Sequence, residues 1–398
     1  MKFKLHRRAT TALTSFVIAA LTTELADELV DGATGAVWPY LRNDLHLTYT
    51  EVGLLLGMPG VLANLIEPLF GLLADAGYHR RIVLGGGFAF ALALLLTALA
   101  ENFWGLLLSF VLFYPASGAF VSLTQAAWMD AESERQEQNM ARWTLAGSVG
   151  NVVGPVLIGA AVALGVGWRP VFAVLAALSL MALFLMWRAP SLHPSAAPPE
   201  QEAAFQLRES LQYVFHSVKR AAVLDSLLLL EASNLMLDVF RAFLALYFVD
   251  AAHSTPAQAT LAVGVLTGVG LIGDALIVPV LEKLSGVAFV KWSALLVSVL
   301  FPAFLWVPHV GWKLVDAALI GLLTSGWYAV LQARLYGLLP ERSGTVMALG
   351  SVTGMAGAAI LPVLGWLADR AGVQNALWCL LLGPLLLVWR LPSVTLRR

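Results

Sequence analysis

Apolar runs of bilayer-crossing length follow one another along this chain with only short polar breaks between them, which leaves few folds open. A crossing helix needs roughly 20 apolar residues, and inside lipid its backbone bonds must close within the helix itself. Hydropathy and turn residues place twelve such runs. Six are at 11–39, 50–74, 81–100, 103–128, 141–165 and 170–188, and six at 221–249, 257–282, 288–308, 312–336, 344–368 and 373–392. Charged residues make up 12% of the chain and mean hydropathy is +0.79, whereas a soluble domain carries about 25% charged residues. The expected fold class is therefore all-α and integral to a membrane. The basic opening Met1–Arg8 resembles a signal peptide, but the run behind it is too long and carries acids, so an uncleaved first span is expected.

The second half of the chain repeats the first. A constant offset of 207 places Glu24 on Glu231, Asp31 on Asp238, Tyr40 on Tyr247, Glu67 on Asp274 and Gln125 on Gln332. The same offset places Glu134-Arg135 on Glu341-Arg342, Gly147 and Gly150 on Gly354 and Gly357, and Pro155-Val-Leu on Pro362-Val-Leu. Three regions are expected: a six-helix bundle over 1–188, a linker over 189–220 and a second six-helix bundle over 221–398. The linker is rich in Pro, Ala, Ser and Glu. Its 205–220 part, with Leu207, Leu211, Val214, Phe215 and Val218 on one face, reads equally as an interfacial helix or a solvated lead-in.

Acids inside the runs carry the functional signal. Glu24, Asp27, Glu28 and Asp31 fall at i, i+3, i+4 and i+7, so a helix gathers them within an arc of about 100°. One charge at the bilayer centre costs at least about 2.5 kcal/mol, so four on one stripe must face water or the bundle interior. Span seven repeats the stripe with Glu231, Asn234, Asp238 and Arg241, and spans two and eight pair Glu67 with Asp274. Arg241 is expected to be the one base at membrane depth, and a single Arg balances at most two acids. The remaining acids must stay protonated, sit in water or hold a cation. Glu28, toward one end of its span, is the expected bystander.

Further stretches resemble a known family. Gly71-Leu-Leu-Ala-Asp75 followed by His79-Arg80-Arg81 is similar to the loop signature between spans two and three of major facilitator transporters, with Ala76 where the first Arg of that signature stands. The resemblance implies two pseudo-symmetric six-helix bundles with a site between the halves. It also implies a gating role for Gly71, Asp75, Arg80 and Arg81, with Asp75 closing the cytoplasmic side against the start of span eleven. Gly150-x3-Gly154-Pro155-x3-Gly159 resembles the span-five signature of antiporter members, and the span-four Arg of many proton-coupled members is missing. Trp38-Pro39 through Val52-Gly53, with Leu338 through Asp369, resembles the fosmidomycin-resistance branch of bacterial drug efflux. Gly365-Trp-Leu-Ala-Asp369-Arg370 also spells the loop signature, after span eleven; an inverted-repeat copy and a plain turn both account for it.

The resulting expectation is a secondary transporter of a bacterial inner membrane, exporting a small molecule in exchange for protons. Symport, with protons or Na⁺, and lipid export are the alternatives within transport, and a transporter-like sensor is the alternative from another class. Proton or ion coupling is assigned to Glu24, Asp27, Asp31, Glu67, Glu231, Asp238, Arg241 and Asp274. A cavity wall is assigned to Asn234, Tyr114, Gln125, Trp327, Tyr328 and Gln332, and gating also to Gly150, Gly154 and Pro155. No Ser/His/Asp or Cys/His constellation is readable, Cys379 is the only cysteine, and every His lies in a terminus, loop or helix end. No enzyme activity, cofactor, metal or nucleic-acid partner is expected. Lys and Arg concentrate on one side, the other receiving only Arg42, Arg169, Lys313 and Arg370, so both termini are expected in the cytoplasm of a monomer.

Overall fold

A computed structural model describes residues 2–132, 136–190, 219–338 and 343–392. The Glu134-Arg135 and Glu341-Arg342 pairs, most of the linker and its candidate amphipathic stretch lie outside the described residues. The chain folds as helices connected by tight turns. In the first half these are α1 (Lys2–Asp44), α2 (Tyr49–Leu73), α3 (His79–Leu99), α4 (Phe103–Ser117, carried on to Ala131), α5 (Gln136–Ala163) and α6 (Arg169–Arg188). In the second half they are α7 (Ala221–Asn234, carried on to Asp250), α8 (Pro256–Lys283), α9 (Gly286–Trp306), α10 (Val310–Thr324, resuming as Trp327–Leu338), α11 (Ser343–Ala371) and α12 (Val373–Leu377, carried on to Arg390).

Local chemistry sets the helix ends. Asn102 Oδ1 accepts the Gly105 N–H at 3.0 Å to start α4, and Thr255 with Gln258 forms a capping box before Pro256 at the head of α8. Basic side chains cover the carbonyl ends that helices leave unpaired. Arg80 on α3 donates to the Trp187 and Ala189 carbonyls closing α6, and Lys291 on α9 donates to the Leu391 carbonyl closing α12. In each half the third helix therefore holds the end of the sixth, as the repeat requires.

Among the described residues, nine helices are long and apolar enough to cross a membrane. Their outward faces carry large apolar side chains, such as Phe88, Leu108, Val156, Ile272 and Val299. Exposed tryptophans mark helix ends: Trp104 on α4, Trp187 on α6, Trp306 on α9, Trp312 on α10 and Trp389 on α12. Apolar flanks ending in tryptophan suit a helix that lies in lipid with its ends at the headgroups. The acid-bearing α1 and α7, together with α11, are not among the nine.

The chain packs as two compact units. One holds Met1–Thr34 and Met58–Gln206; the other holds Gly35–Gly57 and Leu207–Arg398. In the first, α3 packs on α4 and α6; in the second, α9 packs on α10 and α12. The last part of α1 and the first part of α2 thus pack with the second half of the chain rather than their own.

Beside a short tightened stretch at Trp378–Leu381 in α12, three helices are interrupted in mid-course. A wide turn at Gly118–Ser122 opens α4, another at Leu235–Val239 opens α7, and α10 breaks at Ser325-Gly326, where Gly326 takes φ +70°. Turns of this kind free or displace backbone groups and commonly mark functional positions.

Candidate functional site

In the first unit the acids of α1 and α2 converge on the opened turn of α4. Glu24, Asp27 and Glu28 each offer an oxygen within 4.8 Å of the others. Glu24 is 6% exposed and so is enclosed by protein rather than lipid. Ser117 Oγ donates to Asp27 Oδ1 at 2.8 Å, just before the turn. Glu67 lies against Gly118, the next residue, where any side chain would collide with its carboxylate. Asp31 is exposed and is an electrostatic neighbour of Asp27, as is Glu67. A set of oxygens alone suits protons or a hard cation, and among the described residues this is the group with such spacing.

Gly147, Gly150 and Gly154 explain how α5 comes close enough to wall this cluster. A Cβ at Gly150 would sit 2.7 Å from the Leu29 nitrogen, and one at Gly147 would sit 2.5 Å from Glu24 Oε1. Gly154 meets the Ala33 backbone in the same way, and Pro155 stands over Gly32. The glycines therefore form the seam between α1 and α5. Asn151 on that seam donates to Glu28, so the expected bystander belongs to the cluster.

The second unit repeats the plan with changes. Glu231 Oε2 lies where a side chain on Gly357 of α11 would collide with it, as Glu24 does with Gly147 of α5. Asp238 sits in the opened turn of α7, 64% exposed in its side chain, with Arg241 Nη2 at 3.7 Å from its carboxylate. Asp274 Oδ1 accepts the Gly326 N–H at 3.0 Å, at the break in α10. Offset by 207, Glu67 and Asp274 thus hold the same place, each against the interruption of the helix opposite.

The other sequence candidates scatter. Asn234 is half-buried at the start of the α7 turn. Tyr114 lies in an aromatic row with Phe110 and Phe113, and Gln125 and Gln332 are half-buried on α4 and α10. Tyr328 is exposed on α10. Trp327 is 0% exposed and donates to Ser293 Oγ at 2.7 Å, which makes it core joining α10 to α9 rather than a cavity wall. Of the gating set, Arg80 holds the end of α6, Arg81 stacks on Tyr78, and Gly71 has open space beside it. Asp75 has a described backbone, in the turn Ala74–Tyr78, and its side chain lies outside the described residues.

Charge counting misplaces one base. Lys313, counted with the few bases of one membrane side, is the fourth residue of α10 and is 3% exposed. Its ammonium donates to Tyr247 Oη at 2.5 Å and to the Phe304 carbonyl at 2.6 Å, and lies over both rings. Lys313 is therefore a buried base in addition to Arg241, and it ties α7 to the end of α9. The signal that points to it is a lone Lys near the edge of a run, in a chain with Phe and Tyr at the matching edges of other runs.

The model of the Major Facilitator Superfamily matches residues 20–362, which covers both carboxylate clusters and the interruptions of α4, α7 and α10. The chain belongs to the Major Facilitator Superfamily. It is similar to the fosmidomycin resistance protein of Escherichia coli K12, 24% identical over 374 residues, covering 92% of this chain and 89% of that one. A chloramphenicol resistance protein of Pseudomonas aeruginosa is 36% identical over 157 residues, covering 38% of this chain and 36% of its own. Among solved structures, the nucleoside transporter NupG superposes with a TM-score of 0.73 at 13% identity, covering 95% of this chain and 97% of that one. A bacterial homologue of the lysosomal transporter Spinster, inward-facing and occupied, gives 0.72 at 12% identity over 96% of each chain. This multi-pass facilitator thus has the fold of transporters.

Proposed function

We propose that this facilitator exports a small molecule from a bacterial cell across the inner membrane by alternating access, driven by inward proton movement. Its helices cross twelve times, leave both termini in the cytoplasm, and function as a monomer. The observation that carries the reading is the repeated placing of carboxylates against interrupted helices: Glu67 at Gly118 and Asp274 at Gly326. A carboxylate can bind a proton without a change of fold, and an interrupted helix can bend there. Protonation at such a site is therefore linked to helix geometry. Glu24, Asp27, Asp31, Glu231 and Asp238 supply further exchangeable positions, and Arg241 limits how many of them carry charge together. Efflux is favoured over uptake by the two resistance-protein relatives, and antiport by the α1–α5 glycine seam.

The test uses purified protein in liposomes holding a pH-sensitive dye, with fosmidomycin and chloramphenicol as test substrates. Adding substrate on the side from which it is exported should acidify that same side as protons are exchanged for it, and an imposed pH gradient, acid on the opposite side, should drive accumulation there. Flux that follows a Na⁺ gradient and ignores the pH gradient would overturn proton coupling. Downhill flux indifferent to both gradients would overturn coupled transport.

A further inference from the structure

The two units end their sixth helices alike. α6 closes in Trp187-Arg188-Ala189-Pro190 and α12 in Trp389-Arg390-Leu391-Pro392, each with an exposed tryptophan and a last carbonyl covered by a base of the third helix. In the second unit the arginine of this ending is balanced within the chain. Arg390 Nη1 lies 3.2 Å from Asp225 Oδ1 and Arg334 Nη2 lies 3.3 Å from Asp225 Oδ2, so one carboxylate of α7 serves bases of α12 and α10. In the first unit the ending keeps its arginine and loses the acid. At the offset of 207, Ile18 stands where the second unit has Asp225, and Ala127 stands where it has Arg334. Arg188 is exposed and lies over the Phe184 and Trp187 rings, 5.0 and 5.9 Å from their centroids. Among the described residues no carboxylate pairs with Arg188 or with Arg80.

The small Ala127 helps to leave a cleft between α1, α3, α4 and α6, walled by Phe16, Val83, Ala127 and Met186 with Arg80 beside them. The cleft holds about 20 Å³, room for a headgroup oxygen but not for a hydrocarbon chain. His79 and Thr124 also line it, and both are engaged with α4 carbonyls, those of Leu123 and Phe120. Arg80 bonds the Trp187 and Ala189 carbonyls on either side of Arg188, so both guanidinium groups belong to one helix end. Arg80 is itself exposed, and those two bonds use two of the five N–H groups a guanidinium carries.

We infer that this end of the first unit binds an anionic phospholipid, whose phosphate does for Arg188 and Arg80 what Asp225 does for Arg390 and Arg334. Guanidinium groups match phosphate oxygens in pairs, and basic pockets between membrane helices suit negatively charged headgroups. A lipid is favoured over a free anion by the surroundings: Ile18, Phe184 and Trp187 are exposed apolar groups on which its chains can lie. This binding needs only that the helix ends lie at a bilayer surface, whatever the direction or coupling of transport.

The test uses full-length protein in detergent, with bound lipid counted by native mass spectrometry as phosphatidylglycerol or phosphatidylcholine is added. Wild type should hold phosphatidylglycerol at least about tenfold more tightly, since both lipids carry a phosphate and only one has a net negative charge. Arg188→Gln should weaken phosphatidylglycerol at least about tenfold, as the loss of charge-assisted bonds implies. Ile18→Asp should do the same by supplying the acid that the second unit already has. Arg390→Gln, whose partner is Asp225, should leave the lipid unchanged. Should Ile18→Asp fail to fold, Arg188→Gln and Arg390→Gln decide between them. Equal retention of the two lipids by wild type would overturn the site, and so would wild-type binding by Arg188→Gln or an equal loss in Arg390→Gln. Displacement of the bound lipid by inorganic phosphate alone would assign the arginines to a free anion and overturn the lipid.

Discussion

The carboxylate of Asp274 accepts the backbone N–H of Gly326 across 3.0 Å, so the break in α10 is held by an acid from α8. A helix that breaks inside lipid frees backbone groups, and each left unpaired is costly there. Asp274 therefore has a structural duty as well as the proposed chemical one, and the two separate by mutation. Asp274→Asn keeps an oxygen for the Gly326 N–H and removes the proton site. It should fold normally and lose accumulation driven by a pH gradient. Asp274→Ala leaves the N–H bare and should cost about 1–3 kcal/mol of stability, read as a lower melting temperature in detergent. An Asn variant that still accumulates substrate would remove Asp274 from the coupling set.

Gly326 itself can be tested. Its φ of +70° is unfavourable for any residue with a Cβ, by about 1–2 kcal/mol, and a Cβ there would also strike the Ile277 side chain. Gly326→Ala should lower the melting temperature. Gly268→Ala on α8, with open space beside it and an ordinary helical backbone, should leave it unchanged or raise it.

The α1–α5 seam makes a sharper prediction about function. Gly147→Ala would place a methyl 2.5 Å from Glu24 Oε1, and Gly357→Ala one 2.5 Å from Glu231 Oε2. Overpacking of this kind costs about 1–3 kcal/mol, and here the side chain that must yield is the proposed proton carrier. Both variants should reach the membrane in normal amounts and transport poorly. A Glu24→Gln/Glu231→Gln pair should behave likewise, and accumulation of substrate by that pair would exclude both acids as carriers.

Much of this arrangement is legible in the amino-acid sequence. The i, i+3, i+4 stripe in span one and the offset of 207 identify Glu24, Glu231, Glu67 and Asp274 as matched acids in helices, because lipid tolerates no other arrangement. The interruption of α7 is not legible, since Leu235–Val239 has ordinary helical composition, whereas that of α4 follows Pro115, Ser117 and Gly118, a signal that the reading of the runs passes over. Trp327 and Lys313 mislead for a related reason. Polarity tells which residues need partners, while the partners themselves, Ser293 for one and Tyr247 for the other, come from different helices. Asp369 of the second loop-like signature accepts the Tyr49 N–H from 320 residues away, so the motif is visible in the sequence and its target is not.

Lys313 should prove structural. Its ammonium has two well-placed acceptors, and bonds from a charged group contribute about 1.5–3 kcal/mol. Lys313→Met removes these and leaves the Tyr247 hydroxyl against the Phe304 and Leu305 carbonyls. The variant should melt lower by an amount consistent with that loss, while protein that remains folded keeps its pH-gradient dependence. A changed dependence on the gradient in folded Lys313→Met would move this residue into the coupling set.

The last prediction concerns substrate charge. Glu24, Asp27 and Glu28 share a space of 4.8 Å with Asp31 and Glu67 adjoining, and Ser117 and Asn151, which donate to Asp27 and Glu28, are neutral. Wherever several of these acids are ionised, low-dielectric walls concentrate their field, so cations and zwitterions should be preferred to anions. The similarity to a fosmidomycin resistance protein points the opposite way, since that drug is a phosphonate anion. Competition between the two classes decides: lipophilic cations should displace a bound fluorescent cation, and Glu24→Gln should weaken them at least about tenfold, as expected for a charge pair in an enclosed site. Displacement by phosphonates alone, unchanged in Glu24→Gln, would mean that the acids serve only protons and that the substrate is recognised elsewhere.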